Sequence, residues 1–139
     1  MKKTIVTLTI MLIGLLSFSQ GKVAPKKDNL LFMLRQTEHI NQALKTIEDL
    51  HTGKDSKLNV GDIVIIVCGQ AVESLTGNEA KEWVAKTSKY KSVSILACGL
   101  SLDKFKKSKD ELVPGVKYTR NGFIKAFELQ KQGYLSVEL

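Results

Sequence analysis

The 139-residue chain holds only two cysteines, too few for the disulfide framework on which small secreted domains depend. No CxxC or HExxH spacing is present, and the two histidines, His39 and His51, do not stack on one helix face, so no metal site is expected. No GxGxxG or P-loop pattern follows any apolar run, which leaves nucleotide binding without support and no cofactor implied. No Ser-His-Asp arrangement can be assembled. Aromatic residues make up 6% of the chain, few for base stacking, and no nucleic-acid motif accompanies them. There is no internal repeat and no low-complexity segment.

Against these absences stands a surplus of lysine. The formal net charge is +7, and removal of Lys2 and Lys3 would leave +5. Such an excess can favour nucleic acid or a membrane surface. Here the lysines are scattered, apart from Lys104, Lys106, Lys107 and Lys109, and they read as a solvated coat. Hydrophobic and charged contents of 43% and 25% are those of one soluble domain.

The first nineteen residues read as a signal peptide. Met1-Lys2-Lys3 is a basic head, Thr4 to Leu16 is apolar and uncharged, and Ser17 and Ser19 put small residues before a cut at Gln20. The apolar run is short for a membrane span, and no cysteine follows it to carry a lipid anchor. The expected mature protein is periplasmic or secreted, with no stable membrane anchor after cleavage. Residues 20–28, with Pro25 and three lysines, read as a flexible lead-in to a domain over 29–139.

In that domain apolar runs alternate with helical patterns. Leu30 to Arg35, Ile63 to Val67 and Val93 to Ala97 read as buried strands. Val116 to Thr119 is shorter and more polar, nearer an edge, and Tyr134 to Val137 closes the set. Between them, Thr37 can cap a helix carrying Ile40, Ala43, Leu44, Ile47 and Leu50 and ending at Gly53. Glu79 to about Ser88 forms a second helix with Trp83 in the core, and Leu102 to Lys107 a weak third. Asn121 caps a last one, with Phe123, Ile124 and Phe127 on one side and Gly133 as its stop. The alternation predicts an α/β fold, a three-layer α/β/α sandwich around a mostly parallel five-stranded sheet. Right-handed crossovers then gather the loops after Arg35, Val67, Ala97 and Thr119 at one edge, the usual ligand crevice of such sheets.

Both cysteines end buried-type strands and precede glycine, at Cys68-Gly69 and Cys98-Gly99. Cys98 is the main candidate. A thiolate is a nucleophile and a sulfur carrier, and its pKa falls near a helix N-terminus or near cations such as Lys104 and Lys106. Cys68 can resolve an oxidised Cys98 if their strands are neighbours, about 4.8 Å apart, but not with a strand between them. Three states of the pair stay open: one bridge, two inert buried thiols, or a reactive site. Gly69 and Gly99 allow close backbone approach to a ligand, Ser101 lies at the following helix start, and His39 can line the crevice.

The segments IVIIVCGQAVESL, VSILACGLSL and ELVPGVKYTRNGFIKAFELQKQGYLSVEL resemble the DsrE/DsrF-like family of small sulfur-relay and sulfur-oxidation proteins, over about Leu30 to Val137. Most telling are Ala97-Cys98-Gly99, the turn Leu112 to Val116, and Leu129-Gln130 followed by Gly133-Tyr134. The resemblance implies the same three-layer fold and a homo-oligomer. It also implies that Cys98 carries sulfane sulfur as a persulfide, exchanged with a donor or acceptor protein or a small sulfur compound. Two features depart from the family: Cys68 stands where many such sequences have histidine, and the signal peptide is at odds with cytoplasmic tRNA thiolation. The competing expectation is a non-catalytic binding or assembly module, with both cysteines as packing and no pocket at the strand ends.

Overall fold

The computed structural model describes residues 25–53 and 56–139; the expected signal peptide lies outside them. Five strands form one all-parallel sheet: β1 (Asp28–Leu34), β2 (Val60–Val67), β3 (Val93–Cys98), β4 (Val116–Thr119) and β5 (Leu135–Glu138). Their order is β4-β3-β2-β1-β5. The helices are α1 (Thr37–Thr52), α2 (Asn78–Thr87), α3 (Gly99–Lys104) and α4 (Gly122–Lys131), with 3₁₀ segments at Gly69–Thr76 and Lys109–Glu111. The α/β sandwich expected from the alternation is present, and β4 does lie at an edge.

The three central strands are apolar on both faces because both faces are covered. On one face Phe32, Leu34, Ile65, Val67, Ile95 and Ala97 pack against Ile40, Ala43 and Ile47 of α1, the first 3₁₀ segment, and Ala80 and Trp83 of α2. On the other, Leu31, Met33, Val64, Ile66, Cys68, Leu96 and Cys98 are covered by Ala126 and Leu129 of α4. The layers are therefore unequal: among the described residues α4 is the one helix packed on the cysteine-bearing face.

Several boundaries differ from the sequence expectation for local reasons. Asp28 already belongs to β1: its carboxylate accepts from Asn59 N–H at 2.8 Å, and Asn59 Nδ2 holds the carbonyls of Pro25 and Lys26. The Thr37 hydroxyl does not cap α1; Gln36 is the boundary residue and makes no side-chain cap bond. Gly53 does end α1, in the left-handed conformation at φ 70°. The third helix begins at Gly99, earlier than expected, because the chain turns immediately after Cys98, with Leu100 N–H donating to Arg120 O at 3.1 Å.

The largest difference concerns α4. Asn121 caps it as expected, its Oδ1 accepting from Phe123 N–H at 3.0 Å and Ile124 N–H at 3.3 Å. Yet Phe123, Ile124 and Phe127 point outward, at 41%, 55% and 68% exposure. The buried positions are Gly122, Ala126 and Leu129, spaced i, i+4, i+7. Small residues in the first two places let the helix lie close against the sheet. All four residues of β5 are exposed.

Candidate functional site

The two cysteines meet at the carboxyl end of the sheet. β2 and β3 are adjacent and in register, with Val67 opposite Ala97, which places Cys68 beside Cys98 one residue later. Strand alternation turns both side chains to the α4 face, where Cys68 is 3% and Cys98 0% exposed. Both thiols are free.

Gly122, the first residue of α4, closes over them. A methyl group at this glycine would lie 2.8 Å from Cys68 Sγ, 3.0 Å from Ile66 Cγ2 and 3.2 Å from Cys98 Cβ. With no side chain in the way, Gly122 N–H reaches Cys98 Sγ and donates to it at 3.3 Å. Ser101 supports the same sulfur from α3. Its hydroxyl accepts from Gly69 N–H at 2.8 Å, and both its hydroxyl and its amide interact with Cys98.

These contacts separate the two thiols electrostatically. Burial opposes ionisation of Cys98, but hydrogen bonds from the Gly122 and Ser101 amides, the Ser101 hydroxyl and the Cys68 thiol outweigh it and hold its pKa below the ordinary 9.0. Cys68 is driven the other way: burial, then the adjacent Cys98, pushes its thiol up to about 12, and the Arg35 charge only partly offsets this. Local hydrogen bonds thus do the work expected of Lys104 and Lys106. Of the helix starts, the one at Gly122 supplies the hydrogen bond to sulfur, with the expected α3 contributing through Ser101.

Arg35 lies beside this end of the sheet. Its Nε pairs with Glu138 Oε1 at 2.7 Å, and its guanidinium sits 5.5 Å from the centre of the Phe123 ring. A groove lined by Arg35, Gln36, Thr37, Glu38, Gln70 and Ser74 opens nearby at the ends of β1 and β2, but neither cysteine lines it.

The other expected site residues are placed as follows. Gly69 adopts φ +60°, and its Cα packs against the Arg35 carbonyl, where a methyl group would approach to 3.2 Å. At Gly99 the close approach is made by this chain itself, since a methyl group would lie 2.5 Å from the Tyr118 hydroxyl and 2.9 Å from Arg120 O. His39 occupies the first turn of α1, half-buried, and its Nδ1 has no hydrogen-bond partner among the described residues. His51 is exposed at the other end of that helix, stacked on Tyr90. No cluster of three or more metal-ligating side chains occurs among the described residues, and none of their helices is long and apolar enough to cross a membrane. Sequence reasoning missed Gly122; its signal was a glycine immediately after the capping Asn121 and four residues before Ala126.

No protein-family model matches the chain, and no curated protein matches it. Solved structures share the fold. A protein of unknown function from Methanobacterium thermoautotrophicum is 17% identical with a TM-score of 0.64, over 82% of this chain and all of the other. A conserved protein of unknown function from Bacteroides thetaiotaomicron is likewise 17% identical, with a TM-score of 0.58, over 81% of this chain and 95% of the other. At that identity the likeness establishes a shared α/β architecture and nothing about chemistry.

Proposed function

We propose that the protein is an exported DsrE/DsrF-like sulfur carrier or thiol-exchange protein in which Cys98 is the reactive thiol. The observation that carries this reading is the hydrogen bond from Gly122 N–H to Cys98 Sγ at the N-terminus of α4, with Cys68 adjacent. Backbone amides and the positive end of a ten-residue helix favour a thiolate.

In the loading step the Cys98 thiolate attacks a sulfane sulfur of a polysulfide or persulfide donor. A bond forms between Cys98 Sγ and that sulfur, the donor's S–S bond breaks, and the donor thiolate leaves with the electron pair. The cysteine becomes a persulfide with no net oxidation. Because Cys98 is fully buried, loading requires the first turn of α4 to lift. Within the same proposal, the signal-peptide pattern of residues 1–19 supports export and the family resemblance supports self-association.

Burial of both cysteines favours a second reading, an assembly module in which they only pack. One measurement separates the two. Reduced protein is treated with inorganic polysulfide near neutral pH and followed by intact mass. The carrier reading expects a gain of about 32 Da per sulfur that is absent in Cys98→Ser. Wild-type acceptance retained in Cys98→Ser, or a thiol inert until unfolding, refutes it.

A further inference from the structure

We infer that Cys68 discharges the persulfide held on Cys98: the buried pair releases the carried sulfur as hydrogen sulfide and closes a disulfide between β2 and β3. The inference rests on the persulfide reading above and adds to it a product and a second reacting residue.

The geometry comes from the sheet. Adjacent strands lie about 4.8 Å apart, inside the roughly 4.4–6.8 Å Cα separation that a disulfide spans. The in-register pairing of Val67 with Ala97 puts Cys68 and Cys98 opposite each other, and both side chains face α4. They converge beneath Gly122, where one added methyl group would meet both Cys68 Sγ and Cys98 Cβ. Ile66, Leu96, Ala126 and Leu129 belong to the same apolar cluster, and the Arg35 charge acts on Cys68 from outside it. Once Cys98 carries an extra sulfur, the nearest thiol is Cys68, which holds its proton until the departing sulfur takes it. Ser101 is the other polar side chain at the sulfur, and its hydroxyl already accepts from Gly69 N–H.

The step balances without an outside oxidant. Cys68 Sγ attacks Cys98 Sγ, and the bond from Cys98 Sγ to the outer sulfur breaks. The outer sulfur departs with the electron pair and takes up the Cys68 proton as well as its own, leaving as hydrogen sulfide. The sulfane sulfur is reduced, and the two cysteine thiols are oxidised to the disulfide. A second turnover needs a dithiol reductant, small or protein, to reopen the bridge.

The test uses reduced protein loaded anaerobically with a limiting amount of inorganic polysulfide and then desalted. Intact mass and trapped sulfide are followed with time. In wild type the adduct of about +32 Da gives way to a species about 2 Da below the reduced mass, with one sulfide released per bridge closed. In Cys68→Ser, and separately in Cys68→Ala, the adduct persists and no sulfide appears. If wild type keeps its adduct as long as the Cys68 variants do, or passes it only to an added thiol, the discharge inference is overturned while the carrier reading stands. If neither wild type nor either variant ever gains the adduct or loses the 2 Da, the carrier reading has failed and the inference falls with it.

Discussion

Replacing Gly122 by alanine tests whether the close approach of α4 sets the chemistry of Cys98. The new methyl group would lie 2.8 Å from Cys68 Sγ and 3.0 Å from Ile66 Cγ2, both buried and held by sheet backbone, so the helix must move outward by a few tenths of an ångström. Overpacking of this kind costs roughly 1–3 kcal/mol. Alanine's advantage over glycine in a helix recovers at most about 1 kcal/mol, and less at the first helical residue. The net expectation is a loss of about 1–2 kcal/mol, or a Tm lower by roughly 4–8 °C for a domain of this size. The outward shift also lengthens a Gly122 N–H to sulfur contact that is already 3.3 Å, so the Cys98 pKa should climb back toward 9.0. Thermal unfolding followed by circular dichroism reads the first effect. The pH dependence of alkylation, scored by intact mass, reads the second. An unchanged or raised Tm together with an unmoved alkylation profile would refute the reasoning. A lower Tm alone would leave the glycine as packing only.

Other expectations follow from the same site. Ser101→Ala removes the acceptor of Gly69 N–H and one support of the Cys98 thiolate; it should cost about 1–3 kcal/mol in denaturant unfolding and move the alkylation profile to higher pH. Cys68, raised to about 12 when folded, adds stability that is fully present below its unfolded value near 9 and is lost as pH rises toward 12. Wild type should therefore lose stability relative to Cys68→Ser across that window in chemical denaturation, and parallel curves would contradict the assignment. Cys98 carries the opposite sign. Its lowered pKa adds stability at alkaline pH that is lost as pH falls through the folded value, so Cys98→Ser should narrow the alkaline gain.

Much of the fold was legible because the central strands obey simple rules. Runs such as Ile63 to Val67, apolar at every position, belong in sheets covered on both faces, and strands alternating with helical patterns leave few topologies. Local chemistry also read true at Asn121 and Gly53, where cap and stop each depend on one residue. The orientation of α4 was not legible. Its apolar side chains Phe123, Ile124 and Phe127 suggested a buried side, but the helix buries Gly122, Ala126 and Leu129, and the two small residues bring its first turn close to the thiols. Strand adjacency was also beyond the sequence: it could state that neighbouring strands would bring Cys68 to Cys98, while the actual pairing of β2 with β3 is a property of the whole sheet. Nor could residue spacing show that the amide of Gly122, twenty-four positions after Cys98, would reach its sulfur.

The unequal layers bear on rate. The face holding Cys68 and Cys98 is sealed by one helix with small buried contacts, whereas the opposite face is locked by α1, α2 and the intervening 3₁₀ segment. Proteins open in parts, and the parts with least buried apolar contact open first. The thiols thus sit under the more lightly anchored of the two helical layers. With both thiols buried, the proposed chemistry depends on how often α4 detaches. Each further 1.4 kcal/mol or so holding that helix down would make the pair about tenfold less accessible. Any molecule that rests on the outward Phe123, Ile124 and Phe127 could throttle the chemistry beneath without touching a sulfur atom.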